Sequence, residues 1–251
     1  MNNEGNLQKN SNSSISIQVS KSLTSKSIIL QGNLTIPKDA KGIVLFAHGS
    51  GSSRHSPRNY YVAEALNNDG LATLLTDLLT PEEEEADVII QKIKCKIPGL
   101  VLNKFNIKLL ANRLIAITDW VLQNSDTQNL TLGYFGASTG AAAALVAAAS
   151  TQYQEIVAAL VSRSGRPDLA GVDYLRLVKA PTLFIVGGND YKQVIDWNKN
   201  ALKDLGSEKK KLVAVPNASH LFEEPGTLEE VARVASGWFR CYFQIKQHSN
   251  I

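Results

Sequence analysis

The sequence predicts an α/β fold with a mostly parallel sheet and helices on both faces. Three observations carry this. Short apolar runs recur along the chain, stretches of helical periodicity separate them, and the connections are long enough for crossovers. The chain has 251 residues, 44% hydrophobic and 20% charged, which suits one substantial core and argues against a disordered or fibrous protein.

The elements follow in order. Residues 1–13 are rich in Asn and Ser and read as a flexible leader, leaving a single domain over 14–251. Ser14–Val19 and Ser27–Ile36 alternate as two strands at a sheet edge. From Gly42 the pattern changes. Ile43–Ala47, Ala72–Leu75, Leu130–Phe135, Ile156–Val161, Thr182–Val186 and Leu212–Val215 are apolar runs expected of strands covered on both faces. Between them lie helical stretches at Asn59–Asn68, Ile107–Leu122, Thr139–Ala149, Val194–Leu205 and Leu228–Phe243. One segment breaks the alternation. Residues 81–106 open on four glutamates and then turn basic and apolar, which predicts either a short extra helix with a solvated charge run or a flap over a site.

Residues 136–140 read Gly-Ala-Ser-Thr-Gly, between a predicted strand and a predicted helix. A strand-to-helix turn that tight needs glycine on both sides, and it lifts the Ser138 hydroxyl above the carboxyl edge of the sheet. A hydroxyl needs a base, and His220 follows the last predicted strand. Of the other histidines, His248 lies in a polar tail and His48 reads as a scaffold for its loop. The imidazole needs a carboxylate to fix its tautomer, and Asp190 ends a predicted strand through Gly187-Gly188-Asn189. Asp173 and Asp196 are its rivals. Asp173 precedes that strand and Asp196 falls inside a predicted helix.

A tetrahedral intermediate needs N–H groups aimed at its oxyanion. The Thr139 N–H supplies one. The loop His48-Gly49-Ser50-Gly51-Ser52-Ser53 supplies the other from Ser50, with Gly51 as the alternative donor. That loop lacks both nucleotide-binding glycine patterns, so a phosphate cradle is not expected there.

On the pieces VLFAHGSGSSRHSPRN (44–59), LATLLTDLLTPEEEE (71–85), LGYFGASTGAAAAL (132–145), LFIVGGND (183–190) and VPNASHLFEEPG (215–226), the sequence resembles the α/β-hydrolase superfamily and its dienelactone hydrolase-like group. The resemblance implies an eight-stranded, mostly parallel sheet and a Ser138, Asp190, His220 triad, which stand in the chain order of that fold. Dienelactone hydrolase carries cysteine at the elbow. Here that residue is Ser138, while Cys95 and Cys241 lie elsewhere, so serine esterase chemistry is what transfers.

Several classes drop out. A net charge of +3 is too small and scattered to point to nucleic acid. Two cysteines make neither a disulfide framework nor a metal-ligand spacing, and the chemistry calls for no metal or organic cofactor. No apolar window suits a membrane span and no signal-peptide pattern opens the chain, so a cytoplasmic protein is expected. Only about 20 residues separate the Ile156 and Thr182 strands, so no large cap domain fits there and small soluble esters or lactones are the expected substrates. Arg54, Arg58, Arg163 and Arg166 follow predicted strands and are candidates for holding an anionic group of the substrate, or for pairing with local acids. The alternatives to ester hydrolysis are acyl transfer and a non-catalytic binding or regulatory protein on the same fold.

Overall fold

The computed structural model describes residues 11–20, 27–93 and 101–249, which build one eight-stranded sheet. In chain order the strands are β1 (Ser11–Ser20), β2 (Ser27–Ile36), β3 (Gly42–Ala47), β4 (Ala72–Thr76), β5 (Thr131–Ala137), β6 (Val157–Arg163), β7 (Thr182–Gly187) and β8 (Lys210–Val215). Their order across the sheet is β1-β2-β4-β3-β5-β6-β7-β8. β1 pairs antiparallel with β2 and β2 with β4, and all other pairings are parallel.

The expected leader is too long. Ser11–Ser13 already pair with Leu34–Ile36 in β1, while residues 1–10 lie outside the described residues. An edge strand with a face in water needs no apolar residues at its start, so polarity there does not exclude a strand.

The helices are α1 (Pro57–Asn68), α2 (Pro81–Ile93), α3 (Ile107–Gln123), α4 (Thr139–Ala149), α5 (Val172–Leu177), α6 (Lys192–Asp204) and α7 (Thr227–Ser249). His248 therefore falls in the last turn of α7 and not in a tail. Strand residues alternate between two cores. Ile43, Leu45 and Tyr134 face α3 and α4, while Val44, Phe46 and Phe135 face α1 and α7. The Phe46 and Phe135 rings sit 4.8 Å apart, worth about 0.5–1.5 kcal/mol beyond their burial. All eleven residues of α4 are buried, which its small side chains allow at little entropic cost.

The 81–106 segment resolves into α2 and a short 3-10 turn, Asn103–Phe105, while residues 94–100, with Cys95, lie outside the described residues. Part of its acidic run is structural. Thr80 and Glu83 form a capping box, with Glu83 N–H donating to Thr80 Oγ1 at 3.3 Å and Thr80 N–H to Glu83 Oε2 at 3.0 Å. Glu83 also pairs with buried Arg113 at 2.7 Å. The buried Asp87 carboxylate accepts the N–H groups of Asn103 and Lys104 at 2.6 and 2.9 Å, tying α2 to the 3-10 turn. No helix among the described residues is long and apolar enough to cross a membrane.

Candidate active site

β3 has β4 on one side and β5 on the other, so the order of the parallel strands reverses there. Ligands of open α/β sheets gather outside the carboxyl ends of the strands at such a switch point. The 48–53 loop leaves β3 and Ser138 leaves β5 one strand away, with Ala47 opposite Gly136.

Ser138 has φ 50° and ψ −121°, a sparsely populated conformation that costs about 1–3 kcal/mol. The two flanking glycines explain how the turn survives. A Cβ on Gly136 would lie 2.4 Å from Ala141 Cα, and one on Gly140 would lie 2.1 Å from the Ala47 carbonyl oxygen. The Ser138 N–H donates to the Arg163 carbonyl at 3.2 Å. Its side chain takes no part in capping α4, and Ser138 opens into a cavity of about 280 Å³.

His220 lines the same cavity. It stands on the β8–α7 connection, and the loops after β7 and β8 are laced together. Gly188 N–H donates to the Val215 carbonyl at 2.7 Å, and Asn189 N–H to the Ala218 carbonyl at 2.9 Å. The lacing brings His220 Nδ1 within 2.9 and 3.1 Å of the two Asp190 oxygens. A carboxylate can only accept, so Nδ1 carries the proton and Nε2 presents its lone pair. Asp190 also accepts from Ser164 Oγ at 2.6 Å and from the Tyr191 N–H at 2.7 Å. Burial alone would raise the Asp190 pKa. The hydrogen bonds from His220, Ser164 and Tyr191 outweigh it and hold the carboxyl below its ordinary value. The rivals stand elsewhere, Asp173 in α5 and Asp196 in α6.

No Ser138–His220 hydrogen bond is formed among the described residues; the two residues line the same cavity. Such contacts often close only once substrate is bound. Ser164 is a partner that the sequence reading missed. Its one signal is its place at the end of β6, where it holds φ 38° in the Ser-Arg-Ser-Gly stretch.

Thr139 is the first residue of α4, so its N–H has no partner within the helix. The expected second donor is the Ser50 N–H. The Ser50 N–H is engaged, donating to Thr139 Oγ1 at 2.8 Å. The threonine hydroxyl reaches back across the elbow, a contact that strand-end spacing does not encode. Gly51 lines a second cavity of about 340 Å³, walled by Leu79, Val88, Lys104 and Leu110 from the 81–106 side and its neighbours. His48 is held as a scaffold. Its Nε2 accepts the Leu78 N–H at 3.2 Å and its Nδ1 lies 3.0 Å from the Gly49 carbonyl, which fixes the orientation of the ring under the loop.

The four arginines divide two and two. Arg54 pairs with Asp77, and Arg166 pairs with Asp168 while its guanidinium lies 3.9 Å over the Trp197 ring. Neither lines the Ser138 cavity, and Arg58 and Arg163 both do. Among the described residues no group of three or more His, Cys, Asp or Glu side chains is placed to hold a metal ion.

No family model matches the chain. A solved dienelactone hydrolase from Anabaena variabilis is 55% identical, with a TM-score of 0.80 over 92% of this chain and 98% of that one. Est1E from Butyrivibrio proteoclasticus superposes with a TM-score of 0.69 over 91% of this chain and 99% of its own, at 16% identity, which speaks for the fold alone. Two curated relatives from strains of Mycobacterium tuberculosis, provisionally named phosphoribosyl transferases, are 55% identical over 208 residues. The match takes in 83% of this chain and 43% of theirs, so the chain spans less than half their length.

Proposed function

Because this chain belongs to the dienelactone hydrolase-like group of the α/β-hydrolase superfamily, we propose that it cleaves carboxylic ester or lactone bonds of small substrates through an acyl-enzyme on Ser138. The observation that carries this reading is the Asp190-anchored His220, with Nε2 as its free acceptor, lining one cavity with the strained Ser138.

In this mechanism His220 Nε2 takes the Ser138 proton as Oγ attacks the carbonyl carbon. Asp190 holds the imidazole and offsets the charge it gains. The Thr139 N–H meets the developing oxyanion, and the Ser50 N–H joins it by turning from Thr139 Oγ1, its present acceptor, to the stronger one. The imidazolium then protonates the leaving alkoxide. Water, deprotonated by the same nitrogen, releases the acid. Elbow cysteine chemistry does not apply, since the residue at the elbow is Ser138.

The relatives' provisional name speaks of phosphoribosyl transfer, and it belongs to proteins of which this chain matches 43%. It is not the basis for a reading of Ser138. The test is a fluorophosphonate probe followed by intact mass. Wild type should gain one adduct and Ser138→Ala none, with hydrolysis of short p-nitrophenyl esters falling by about 10⁴-fold or more. A folded wild type that neither labels nor turns over such esters contradicts the proposal.

A further inference from the structure

Buried arginines in proteins are normally paired, and this chain contains a paired example. Arg113 is buried and meets Glu83 at 2.7 Å. Arg163 is also buried, at 7% exposure, and no carboxylate of the described residues pairs with it. Its Nη1 is buried without a hydrogen-bond partner. The charge that acts on it is the Arg58 guanidinium. Burial, and then that neighbour, lower Arg163 to about 10, which leaves it charged at neutral pH.

Arg58 has the same inward deficit. Its Nε is buried and unpartnered, while its outer nitrogen Nη1 meets Glu223 at 3.5 Å at the exposed rim. A third donor set points to the same place. Ser56, the N-cap of α1, lines the cavity beside Arg58, so the twelve-residue helix turns its positive dipole end toward it; Pro57 has no N–H and Ser56 Oγ takes that of Asn59, which leaves the Arg58 N–H. Arg163, which no carboxylate pairs, Arg58, whose one carboxylate is the exposed Glu223, and a helix N-terminus line the same cavity as Ser138 and His220.

We propose that Arg58, Arg163 and the first turn of α1 form a subsite for a doubly charged oxyanion, and that the substrate of Ser138 carries a phosphate monoester group. The second half rests on the ester-hydrolase reading of Ser138; the first does not. The arginine pair favours a dianion. One carboxylate would serve Arg163 and leave Arg58 only its loose 3.5 Å rim contact with the exposed Glu223, whereas a phosphate monoester meets both guanidinium groups, with an oxygen to spare for the Arg58 N–H. The subsite sits in the same cavity as Ser138, so the phosphate marks one end of a short acyl or alcohol portion.

The test uses the full chain and three p-nitrophenyl acyl esters of matched length, ending in a methyl, a carboxylate or a phosphate monoester. Inorganic phosphate binding is measured separately by calorimetry. Wild type should favour the phosphate ester over the methyl ester by about tenfold or more in kcat/KM, and over the carboxylate ester as well. Arg163→Met and Arg58→Gln should each collapse that preference and weaken phosphate binding, and Arg166→Gln, outside the cavity, should leave both unchanged. If Arg163→Met fails to fold, Arg58→Gln decides. A carboxylate ester favoured as strongly as the phosphate ester, or a preference unmoved by both cavity variants, overturns the proposal. Failure of fluorophosphonate labelling with phosphate binding retained would sink the hydrolase reading and leave the subsite standing.

Discussion

Ser138 illustrates how a residue's chemistry is set by its neighbours' lack of side chains. Its backbone is strained, and the strain is tolerated because Gly140 lets the start of α4 press against the carbonyl of Ala47. Gly140→Ala should therefore cost about 1–3 kcal/mol in urea denaturation and lower esterase activity more than its stability loss explains. A variant as stable and active as wild type contradicts the close approach. Asp190 gives a pH-dependent expectation. Its folded pKa is depressed, so it contributes stability that is fully present above the unfolded carboxyl value of about 3.9 and is lost as pH falls through the folded value. At pH 7 Asp190→Asn should be less stable than wild type, and urea midpoints taken at pH 3 should bring the two closer together. The same variant should lose on the order of 10³–10⁴ in kcat, because an amide can present a donor to Nδ1 and fix the wrong tautomer.

At the scale of elements, the loops matter more than the helices they join. The β7 and β8 loops are cross-linked by backbone hydrogen bonds before any side chain is considered, which is why Asp190 and His220 meet although 30 residues separate them. The 81–106 segment follows a similar logic. Thr80, Glu83 and Asp87 hold α2 and the 3-10 turn as one wall of the second cavity. Glu83→Ala removes a helix cap and strands the buried Arg113 guanidinium, so we expect a loss of about 3 kcal/mol, read by thermal or urea denaturation. A loss under about 1 kcal/mol would mean that the acidic run is only a solvated face.

For the molecule as a whole, the strands of the parallel region and the three triad candidates were legible because each rests on local information. An apolar run marks a strand covered on both faces, and Ser138, Asp190 and His220 each follow such a run within a few residues. What was illegible depends on contacts made only after folding. Whether an arginine is free depends on Asp77 reaching Arg54 from the end of β4, and on Trp197 of α6 lying under Arg166. The Ser164–Asp190 bond and the Ser50–Thr139 bond likewise join separate strand ends. The N-terminal residues of β1 were misread because an edge strand leaves little apolar trace.

The central claim is that an acyl group is transferred to Ser138 before water removes it. Rapid mixing with a p-nitrophenyl ester, acid quench and peptide mass analysis tests this directly. The account predicts a burst of p-nitrophenol close to one per chain and an acyl mass on the peptide containing Ser138, both absent in Ser138→Ala. Turnover with the acyl mass on any other residue, or turnover that survives Ser138→Ala, would contradict it.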